Sequence, residues 1–518
     1  MIMELKDIYF GKTDAKNELT EDSDSQKETF EQAYLLPDGV QLSSLMDGSK
    51  YIVSGLKGIG KTALLRYIDI QLRKDSKNNT SFILFKSDLS AEDRKEFYNK
   101  SQCIVDESEL KTAGDIRDYE TVWQWFFYSY IYHFVKNDAE DYFEMDKTWR
   151  LFEKSIRCVE LVESPVVKKI RSYIPHVKQG RVKLSRGGDY AELGFNTGDD
   201  LRVDFSEVVS KAGDLFSNLT GKGEKKLYLL VDELEISYEL KKQYDRDVRL
   251  IRDLIVTIEH INALLRRNGF NIYIIASIRS EILSAVNAIG KEINKCVEDF
   301  GIQIAWHQSG GSLHDHPLIH IIMKRLLAAE KLDDTDENRE KVWNQYFPDK
   351  TIQRRDVESY ILYNSWYRPR DMVRFLTQAQ RAYPNATAFT HQVFDKIRKT
   401  YSSECWTECM EELKAKYKND QISAIESIFN GWKSHFTLED FGRRIAEKVK
   451  YDNRLNLISD NIIVLLENLY RVGVIGNSYI PDRDTKPIVR FVFRGDDKLL
   501  PDKDMMVHNA LKPYFSLR

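Results

Sequence analysis

The stretch that decides the fold is Tyr51-Ile-Val-Ser-Gly55-Leu-Lys-Gly58-Ile-Gly60-Lys61-Thr62-Ala63-Leu-Leu65. It fits the pattern G-x-x-x-x-G-K-[ST], with an apolar segment that predicts a strand before it and a segment that predicts a helix after it. In that setting the glycines let successive backbone N–H groups point at a di- or triphosphate, at the positive end of the helix dipole. The sequence therefore predicts a phosphate-binding loop at residues 55–62.

The candidate nucleotide-binding residues lie in this loop and at the start of its helix. They are Gly55, Gly58, Ile59, Gly60, Lys61, Thr62 and Ala63. Lys61 is expected to reach the β- and γ-phosphates and to act in catalysis, and the Thr62 hydroxyl is expected to bind Mg²⁺. The expected cofactors are ATP and Mg²⁺.

The composition predicts a soluble, multidomain protein. At 518 residues the chain is too long for one ordinary core, and its net charge of −4 argues against coating nucleic acid with the whole surface. Five cysteines, an odd number, and a polar N-terminus predict reduced thiols, no secretory signal and a cytoplasmic location. The best candidate for a membrane segment, 121–135, is too short and too polar, so we expect a buried aromatic helix and no membrane partner.

Three further apolar segments predict strands of the same sheet. Residues 81–85 follow the helix of the loop in βαβ order, and continuous apolar runs occupy 226–231 and 270–276. Such runs are typical of strands that are buried on both faces, as in a parallel sheet covered by helices. The predicted fold class is α/β, with a parallel sheet around the phosphate-binding loop.

Polar residues follow two of these strands at their carboxyl ends, where open parallel sheets place their ligands. Asp232 is expected to hold Mg²⁺, and Glu233 to orient or deprotonate an attacking water, because phosphoryl transfer relies on positioning and charge stabilisation. Arg279, together with Ser277, ends the next strand and could contact the γ-phosphate. A plain strand terminus exposed to solvent explains the same residues.

Changes along the chain predict four parts. They are a lead-in segment (1–47), an α/β core (48–310), a charged helical lid without strands (311–402) and a C-terminal domain (403–518). Alternating, glycine-punctuated stretches at 181–184 and 190–194 predict a small hairpin or flap, in an insertion of the core at about 140–225.

The C-terminal domain is expected to be a winged-helix module. Thr437 and the acid three residues later predict a helix start, and the helix is expected to run to residue 449. A second helix is predicted at 462–470, and two strands with a polar turn between them are predicted at 473–476 and 487–495. Helices followed by a β-hairpin describe this module.

The lid carries the remaining candidate for nucleotide binding. A helix is predicted to begin after Pro369 with Asp371 as its N-cap, and Arg368, Arg370 and Arg374 flank that proline. Arg370 is the candidate, because an arginine that reaches a phosphate would couple nucleotide state to the angle between domains. A solvated basic face explains the pattern equally well.

The order of these parts resembles the bacterial P-loop ATPases of the AAA+/STAND assemblage. The likeness rests on the loop 55–62, Asp232-Glu233, Ser277 and Arg279, the segment Ile304-Ala-Trp306 and the run Arg368-Pro369-Arg370-Asp371. Residues 489–495 and 506–511 resemble the end of the winged-helix module in origin-recognition-like and STAND-like ATPases. The resemblance implies nucleotide-dependent self-assembly and a role in signalling or anti-phage defence, although the insertion matches no part of the family.

Three functions remain open at this point. The first is an ATP-driven switch that forms a homo-oligomer or engages a partner effector protein, and the second is a DNA-engaging ATPase of the loader or initiator type. The third is a scaffold that binds nucleotide without hydrolysing it, against which Glu233 argues. Support for DNA binding is a stripe of basic residues at Arg443, Arg444, Lys448, Lys450 and Arg454.

Overall fold

A computed structural model describes residues 3–19, 23–89, 119–161, 170–175, 177–178, 180–185, 192–195, 197, 200–236, 241–288, 293–306, 312–414, 416–458, 461–481 and 487–518. Within these ranges the strands are β1 (Ile52–Gly55), β2 (Asn78–Leu84), β3 (Val177–Lys178), β4 (Arg181–Lys183), β5 (Arg202–Asp204), β6 (Lys226–Asp232), β7 (Ile272–Arg279), β8 (Gly301–Gln303), β9 (Thr351–Ile352), β10 (Arg355–Asp356), β11 (His435–Phe436), β12 (Ile475–Tyr479), β13 (Ile488–Arg490) and β14 (Met505–Val507).

The α-helices of the same ranges are α1 (Asp24–Ala33), α2 (Leu42–Met46), α3 (Lys61–Arg73), α4 (Phe85–Asp88), α5 (Glu120–Val135), α6 (Lys147–Arg157), α7 (Phe205–Ser217), α8 (Lys241–Arg267), α9 (Ser280–Asn287), α10 (Asn294–Phe300), α11 (Pro317–Glu330), α12 (Asp336–Tyr346), α13 (Val357–Asn364), α14 (Pro369–Ala382), α15 (His391–Leu413), α16 (Asn419–Phe429), α17 (Leu438–Val449) and α18 (Ile462–Val472).

Contacts between residues divide the chain into two compact units. Unit 1 consists of Met1–Val40, Leu56–Tyr67 and Ile304–Arg518, and unit 2 consists of Gln41–Gly55 and Ile68–Gln303. The loop Leu56–Gly60 therefore belongs to unit 1, whereas the strand that leads into it belongs to unit 2.

Unit 2 is built on a five-stranded parallel sheet. Its strand order is β2-β6-β7-β1-β8, and every neighbouring pair is parallel. The predicted α/β class and the parallel sheet are confirmed. The segments predicted at 81–85, 226–231 and 270–276 correspond to β2, β6 and β7, and β2 begins three residues earlier than its apolar run.

The central strands are apolar because both of their faces are covered. Every residue of β6 from Leu227 onward is buried, as is the stretch of β7 between Ile274 and Ile278. Helix α5 is the expected buried aromatic helix, and the Trp123 indole donates to the Leu250 carbonyl of α8 at 3.0 Å. Among the described residues, no helix combines the length and apolarity that crossing a membrane requires.

A buried asparagine completes the hydrogen bonding of the sheet. Asn262 of α8 donates to the Ile274 carbonyl at 2.8 Å and accepts from the Ile274 N–H at 3.1 Å. The pairing of β1 with β7 begins only at Ala276, so this side of β7 has no strand partner at Ile274. The side-chain amide thus takes the place of a neighbouring strand, which explains a polar residue in this core.

The predicted insertion contains a small sheet of its own. Strands β3, β4 and β5 pair antiparallel in sequence order, and β4 covers most of the alternating stretch at 181–184. The second stretch was predicted wrongly. Residues 192–194 form a turn in which Gly194 has a φ of +78°, a conformation that a strand does not contain, and 190–191 lie outside the described residues.

The predicted lid is helical in unit 1 but not free of strands. Strands β9 and β10 form a short antiparallel hairpin between α12 and α13, too short to leave an alternating pattern in the sequence. The prediction of Asp371 as an N-cap is wrong: α14 begins at Pro369, and Arg368 occupies the N-cap position. Proline suits the first helical position because its φ is already helical.

The C-terminal part of unit 1 joins three helices to a four-stranded antiparallel sheet. Helix α17 starts with the expected capping box of Thr437 and Asp440. The sheet order is β11-β14-β12-β13, with β12 and β13 close to the two predicted strands. Strand β14 separates β11 from β12, and its three residues carry no strand signal of their own.

Candidate functional site

Neighbouring strands bring the predicted site residues of unit 2 to one edge of the sheet. Val53 of β1 pairs with Ser277 of β7, and Gly55 pairs with Arg279. From β1 the chain connects to β2, which lies at one end of the strand order. From the neighbouring β7 it connects to β8, which lies at the opposite end. The carboxyl end of β1 is therefore a topological switch point, the place where open α/β sheets bind ligands.

Asp232 is a buried carboxylate with one unused oxygen. Its exposed fraction is 3%, and its Oδ1 accepts a hydrogen bond from the Ser277 hydroxyl. Its Oδ2 is buried and has no hydrogen-bond partner within the described residues. A buried carboxylate oxygen without a donor is costly, and it fits an oxygen that ligates a cation or an ordered water.

Glu233 adopts a backbone conformation that is rare for its residue type. Its φ is +58°, in the left-handed region, directly after the buried end of β6. Its Oε2 accepts a hydrogen bond from the Ser87 N–H at 3.1 Å and another from the Ser87 hydroxyl. Such strain persists where surrounding contacts enforce it, and it clusters at functional sites.

Arg279 ends β7 in an ion-pair network. Its guanidinium pairs with Glu235, and the Lys86 ammonium lies 2.6 Å from the same carboxylate. The Arg279 side chain is 23% exposed, so it is neither a freely solvated terminus nor an unpaired cation. Its ion pair therefore fixes the direction of the guanidinium at the edge that carries Asp232.

The loop in unit 1 has the backbone that its glycines predict. Gly58 and Gly60 have φ values of +80° and +101°, which other residues rarely adopt. A Cβ placed on Gly60 would meet nothing within 4 Å, so open space lies on that side of the loop. The Lys61 ammonium donates to the Leu56 carbonyl at 2.9 Å, which folds the side chain back along the loop.

Two aromatic and basic neighbours hold the loop backbone from within unit 1. The Trp306 indole donates to the Ile59 carbonyl at 2.8 Å. The Arg370 N–H, at the start of α14, donates to the Gly58 carbonyl at 3.2 Å. A Cβ on Gly58 would lie 3.3 Å from the Arg370 Cβ, so glycine also permits this close approach.

A pocket lies beside the start of α3 in unit 1. Its empty space is about 450 Å³, part of it open to solvent. Its lining residues are Tyr9, Glu18, Phe30, Ala33, Tyr34, Leu35, Gly60, Ala63, Trp306, Ile321, Arg325 and Pro369. The Tyr9 hydroxyl donates to Glu18 at 2.7 Å, and burial together with that carboxylate raises the pKa of Tyr9. Aromatic rings of the pocket therefore lie next to Gly60 of the loop and Ala63 of α3.

Thr62 and Ala63 form the first turn of α3, after Lys61. Both side chains are half-buried, and Ala63 lines the pocket. Within the described residues, no group of three His, Cys, Asp or Glu side chains could hold a metal ion alone.

The lid arginines lie in ion pairs instead of on a solvated face. Arg370 and Arg374 reach Glu408 of α15 at 3.4 and 3.1 Å, and their side chains are 25% and 11% exposed. Arg374 also pairs with Asp371 at 2.8 Å. The basic pattern around Pro369 is therefore explained by contacts within unit 1.

The basic stripe of the C-terminal part is largely engaged as well. Arg443 lies 2.9 Å from Asp440, and Arg454 lies 2.7 Å from Asp452. Arg444 donates to the backbone carbonyls that end α16. These contacts involve three of the five basic residues of the stripe, and the Arg443 and Arg454 side chains remain 66% and 49% exposed.

The exposed face of α18 is apolar and mixed in charge. Ile463 and Val464 are 44% and 43% exposed, and the other exposed side chains along the helix include Glu467 and Arg471. A helix that reads base edges in a major groove uses arginine, lysine, asparagine or glutamine. Among the exposed side chains of α18 named above, only Arg471 is basic.

One family match accompanies these observations. Residues 316–409 match FunZ_C, described as a FunZ-associated C-terminal helical domain. The matched stretch contains α11 to α14 and most of α15, including the lid arginines and Glu408. Among curated proteins, none matches the chain.

Several residues with contacts to candidate site residues were not predicted. Trp306 was noted in the sequence only as part of a resemblance, and Ser87 and Glu408 carried no signal. Glu408 lies in a helix with many charged residues, so the local sequence does not distinguish it from its neighbours. Its ion pairs join it to residues far away in sequence. Lys57 could have been noticed as a second lysine inside the glycine pattern.

Proposed function

We propose that the chain is a P-loop ATPase that acts as a nucleotide-dependent switch. The observation that carries the proposal is the unpaired, buried Oδ2 of Asp232 at the sheet edge where β1 ends and its loop begins. A carboxylate that is left without a donor at a topological switch point suits a cation bound with a phosphate. The glycine pattern and Lys61 of the loop in unit 1 separately support phosphate binding.

The finer architecture that we propose has three parts. An AAA+/STAND-like P-loop core provides nucleotide binding, residues 311–402 form a helical lid, and residues 403–518 form a winged-helix domain. The strand order supports the core, because β7 lies between the loop-bearing β1 and the Asp232-bearing β6. The order α16-β11-α17-α18-β12-β13 supports the winged-helix domain.

The site residues would share the work of ATP hydrolysis. Lys61 would bind the β- and γ-phosphates, and the loop N–H groups between Gly58 and Ala63 would cradle them. Thr62 and Asp232 would hold Mg²⁺, which neutralises phosphate charge when bound. Glu233 would orient the attacking water, with its carboxylate direction set by Ser87.

The pocket beside α3 would receive the base of the nucleotide. Tyr34 stacks on Tyr67 of α3 with ring centroids 4.4 Å apart, and the Trp306 indole donates a hydrogen bond to the Ile59 carbonyl. Aromatic rings next to Gly60 suit a planar adenine, whose ring favours stacked contacts. Arg279 would sense the γ-phosphate from β7, and Arg370 would report the same group to the lid.

The output of the switch is proposed to be assembly. We propose a homo-oligomer that engages a partner effector protein in the cytoplasm, in a role that fits anti-phage defence. The FunZ_C match covers the lid helices, and the apolar exposed face of α18 fits a protein partner better than DNA. The alternative of a DNA loader would use the basic stripe, in which Arg443 and Arg454 already lie in ion pairs.

The deciding experiment measures ATP binding and phosphate release. Lys61→Ala should abolish binding, and Glu233→Gln should keep binding while slowing release by about a hundredfold. Lys450→Ala, an exposed lysine at the end of α17, serves as the control and should leave both values unchanged. If the wild type does not bind ATP with Mg²⁺, or if Lys61→Ala binds equally well, the proposal fails.

Assembly and DNA binding are separated by two further measurements. Light scattering should give a higher mass with ATP and Mg²⁺ than without, and Lys61→Ala should stay at the lower mass. A gel shift with duplex DNA at low salt should show no complex. A salt-dependent complex would instead support the loader function.

A further inference from the structure

An acidic side chain stands where the loop and the lid meet inside unit 1. The Lys57 ammonium, in the middle of the loop, lies 2.6 Å from a Glu408 oxygen and 3.8 Å from Glu412. The Lys57 side chain is 15% exposed, so the contact is largely shielded from water. A loop lysine is thereby tied to two carboxylates on successive turns of α15.

The same Glu408 carboxylate also forms ion pairs with two arginines of the lid. Arg374 contacts it at 3.1 Å and Arg370 at 3.4 Å. One carboxylate therefore binds three cations from two different elements, the loop and α14. Three converging cations are also the arrangement that binds a phosphate group, whose charge and oxygens a carboxylate partly imitates.

Arg370 contacts the loop through its backbone. Its N–H donates to the Gly58 carbonyl at 3.2 Å, and a Cβ placed on Gly58 would lie 3.3 Å from the Arg370 Cβ. An anion on the loop and the carboxylate of Glu408 would therefore compete for one guanidinium. The competition follows from contacts within unit 1 alone.

Glu408 stays ionised at every ordinary pH. Burial alone would raise its pKa, but Lys57, Arg374 and Arg370 hold the pKa at about 2. Its contacts therefore change only when the cations leave. A trigger that removes the cations must itself be an anion that binds them better.

We propose that Glu408 is an internal counter-ion that nucleotide must displace. In the nucleotide-free protein its carboxylate holds Lys57, Arg370 and Arg374, and the phosphates of the nucleotide take over part of this set on binding. The proposal rests on the proposed function of the loop. It makes Glu408 the element that couples phosphate binding to α14 and α15, because the lid helices lose an ion pair when the site fills.

Displacement has a measurable consequence for affinity. Part of the favourable energy of phosphate binding is spent on breaking the ion pairs of Glu408, so the wild-type affinity is lower than the loop alone would give. By linkage, removing the carboxylate should tighten nucleotide binding and lower the stability of the nucleotide-free protein. A carboxylate that only positions the arginines for phosphate would have the opposite effect on affinity.

The test measures the Kd of a fluorescent ATP analogue with Mg²⁺ for the full chain. Glu408→Gln should lower the Kd about tenfold and lower the melting temperature without nucleotide. Glu412→Gln should lower the Kd less, because its contacts with Lys57 and Arg368 are longer, at 3.8 and 3.9 Å. If Glu408→Gln does not fold, Glu412→Gln decides alone.

Glu411→Gln is the matched control. Glu411 lies on the same helix, pairs with Lys414 at 2.6 Å and is 55% exposed, so its variant should bind like the wild type. An unchanged or raised Kd for the folded Glu408 variant, or for Glu412→Gln in its place, overturns the proposal. Failure of the ATPase function is distinct from this result, since the wild type would then show no Lys61-dependent binding at all.

Discussion

Asp232→Asn should make the nucleotide-free protein more stable and remove the Mg²⁺-dependent part of the stability that ATP confers. The side chain is 3% exposed, and its Oδ2 has no donor within the described residues. Burying an ionised carboxylate costs several kcal/mol, whereas a buried neutral amide without partners costs about 1–3 kcal/mol. Because the Ser277 hydroxyl can donate to the amide oxygen as well, the variant should gain about 1–3 kcal/mol.

The assay is a melting curve with and without ATP and Mg²⁺. For a unit of 150–250 residues, 1 kcal/mol shifts the melting temperature by about 2–4 °C, so the nucleotide-free variant should melt several degrees higher. In the wild type, ligand at a hundred times its Kd should add about 2.7 kcal/mol. In the variant the Mg²⁺-dependent part of this gain should disappear, while the phosphate contacts of Lys61 remain.

Ser277→Ala separates the two roles that the carboxylate could have. It leaves Oδ1 of Asp232 without its donor, so it should lower the stability of the nucleotide-free protein by about 1–3 kcal/mol. If Asp232→Asn lowers stability in the same way, the carboxylate is structural and the reasoning about its unused oxygen is wrong. A Mg²⁺-dependent shift that survives in Asp232→Asn would contradict the metal assignment.

The remaining predictions concern the sheet, the loop and the lid. Asn262→Ala leaves the buried N–H and carbonyl of Ile274 without partners and should cost about 2–4 kcal/mol in urea unfolding; a loss below about 0.5 kcal/mol would contradict this account. Trp306→Phe removes the donor to the Ile59 carbonyl and should raise the Kd for nucleotide about fivefold, equivalent to about 1 kcal/mol, as measured by fluorescence titration. Acid titration should show the ion pairs of Glu408: burial would raise its pKa, but nearby cations hold it at about 2, so the stability that it adds is present above its ordinary pKa of 4.5 and is lost as the pH falls toward 2. Glu408→Gln should not show this acid-dependent loss of stability. If its stability falls with pH as in the wild type, the ion pairs of Glu408 do not cause the loss.

The sequence predicted the sheet because its signal is local. Continuous apolar runs marked β6 and β7, and the acids Asp232 and Glu233 marked the carboxyl end of β6. Parallel strands align their carboxyl ends, so Asp232 and Ser277 could be expected at one edge without knowledge of the strand order. The positive φ values of Gly58 and Gly60 fit the glycine-rich turn that the sequence predicted at the loop.

The contacts that surround the loop could not be predicted in the same way. The Lys57 pairing with Glu408 joins residues far apart in sequence, and Glu408 belongs to no recognisable pattern that would mark it as the partner. Charged side chains on a helix usually face solvent, so a buried counter-ion on α15 resembles a surface residue in sequence. The N-cap of α14 was misplaced for a local reason, because Pro369 is compatible both with ending a helix and with starting one.

The division of the chain has a consequence for how the protein is made. Leu56–Tyr67 emerges from the ribosome early, but it belongs to the unit whose other main segment is Ile304–Arg518. Domains fold as units during synthesis, in the order in which their residues appear. The loop is therefore synthesised before the rest of the sheet, and Trp306 and Arg370 follow only after the last strand of the sheet. A truncated product that ends before residue 304 contains the complete glycine pattern and lacks the side chains that hold it, so incomplete chains should not capture nucleotide.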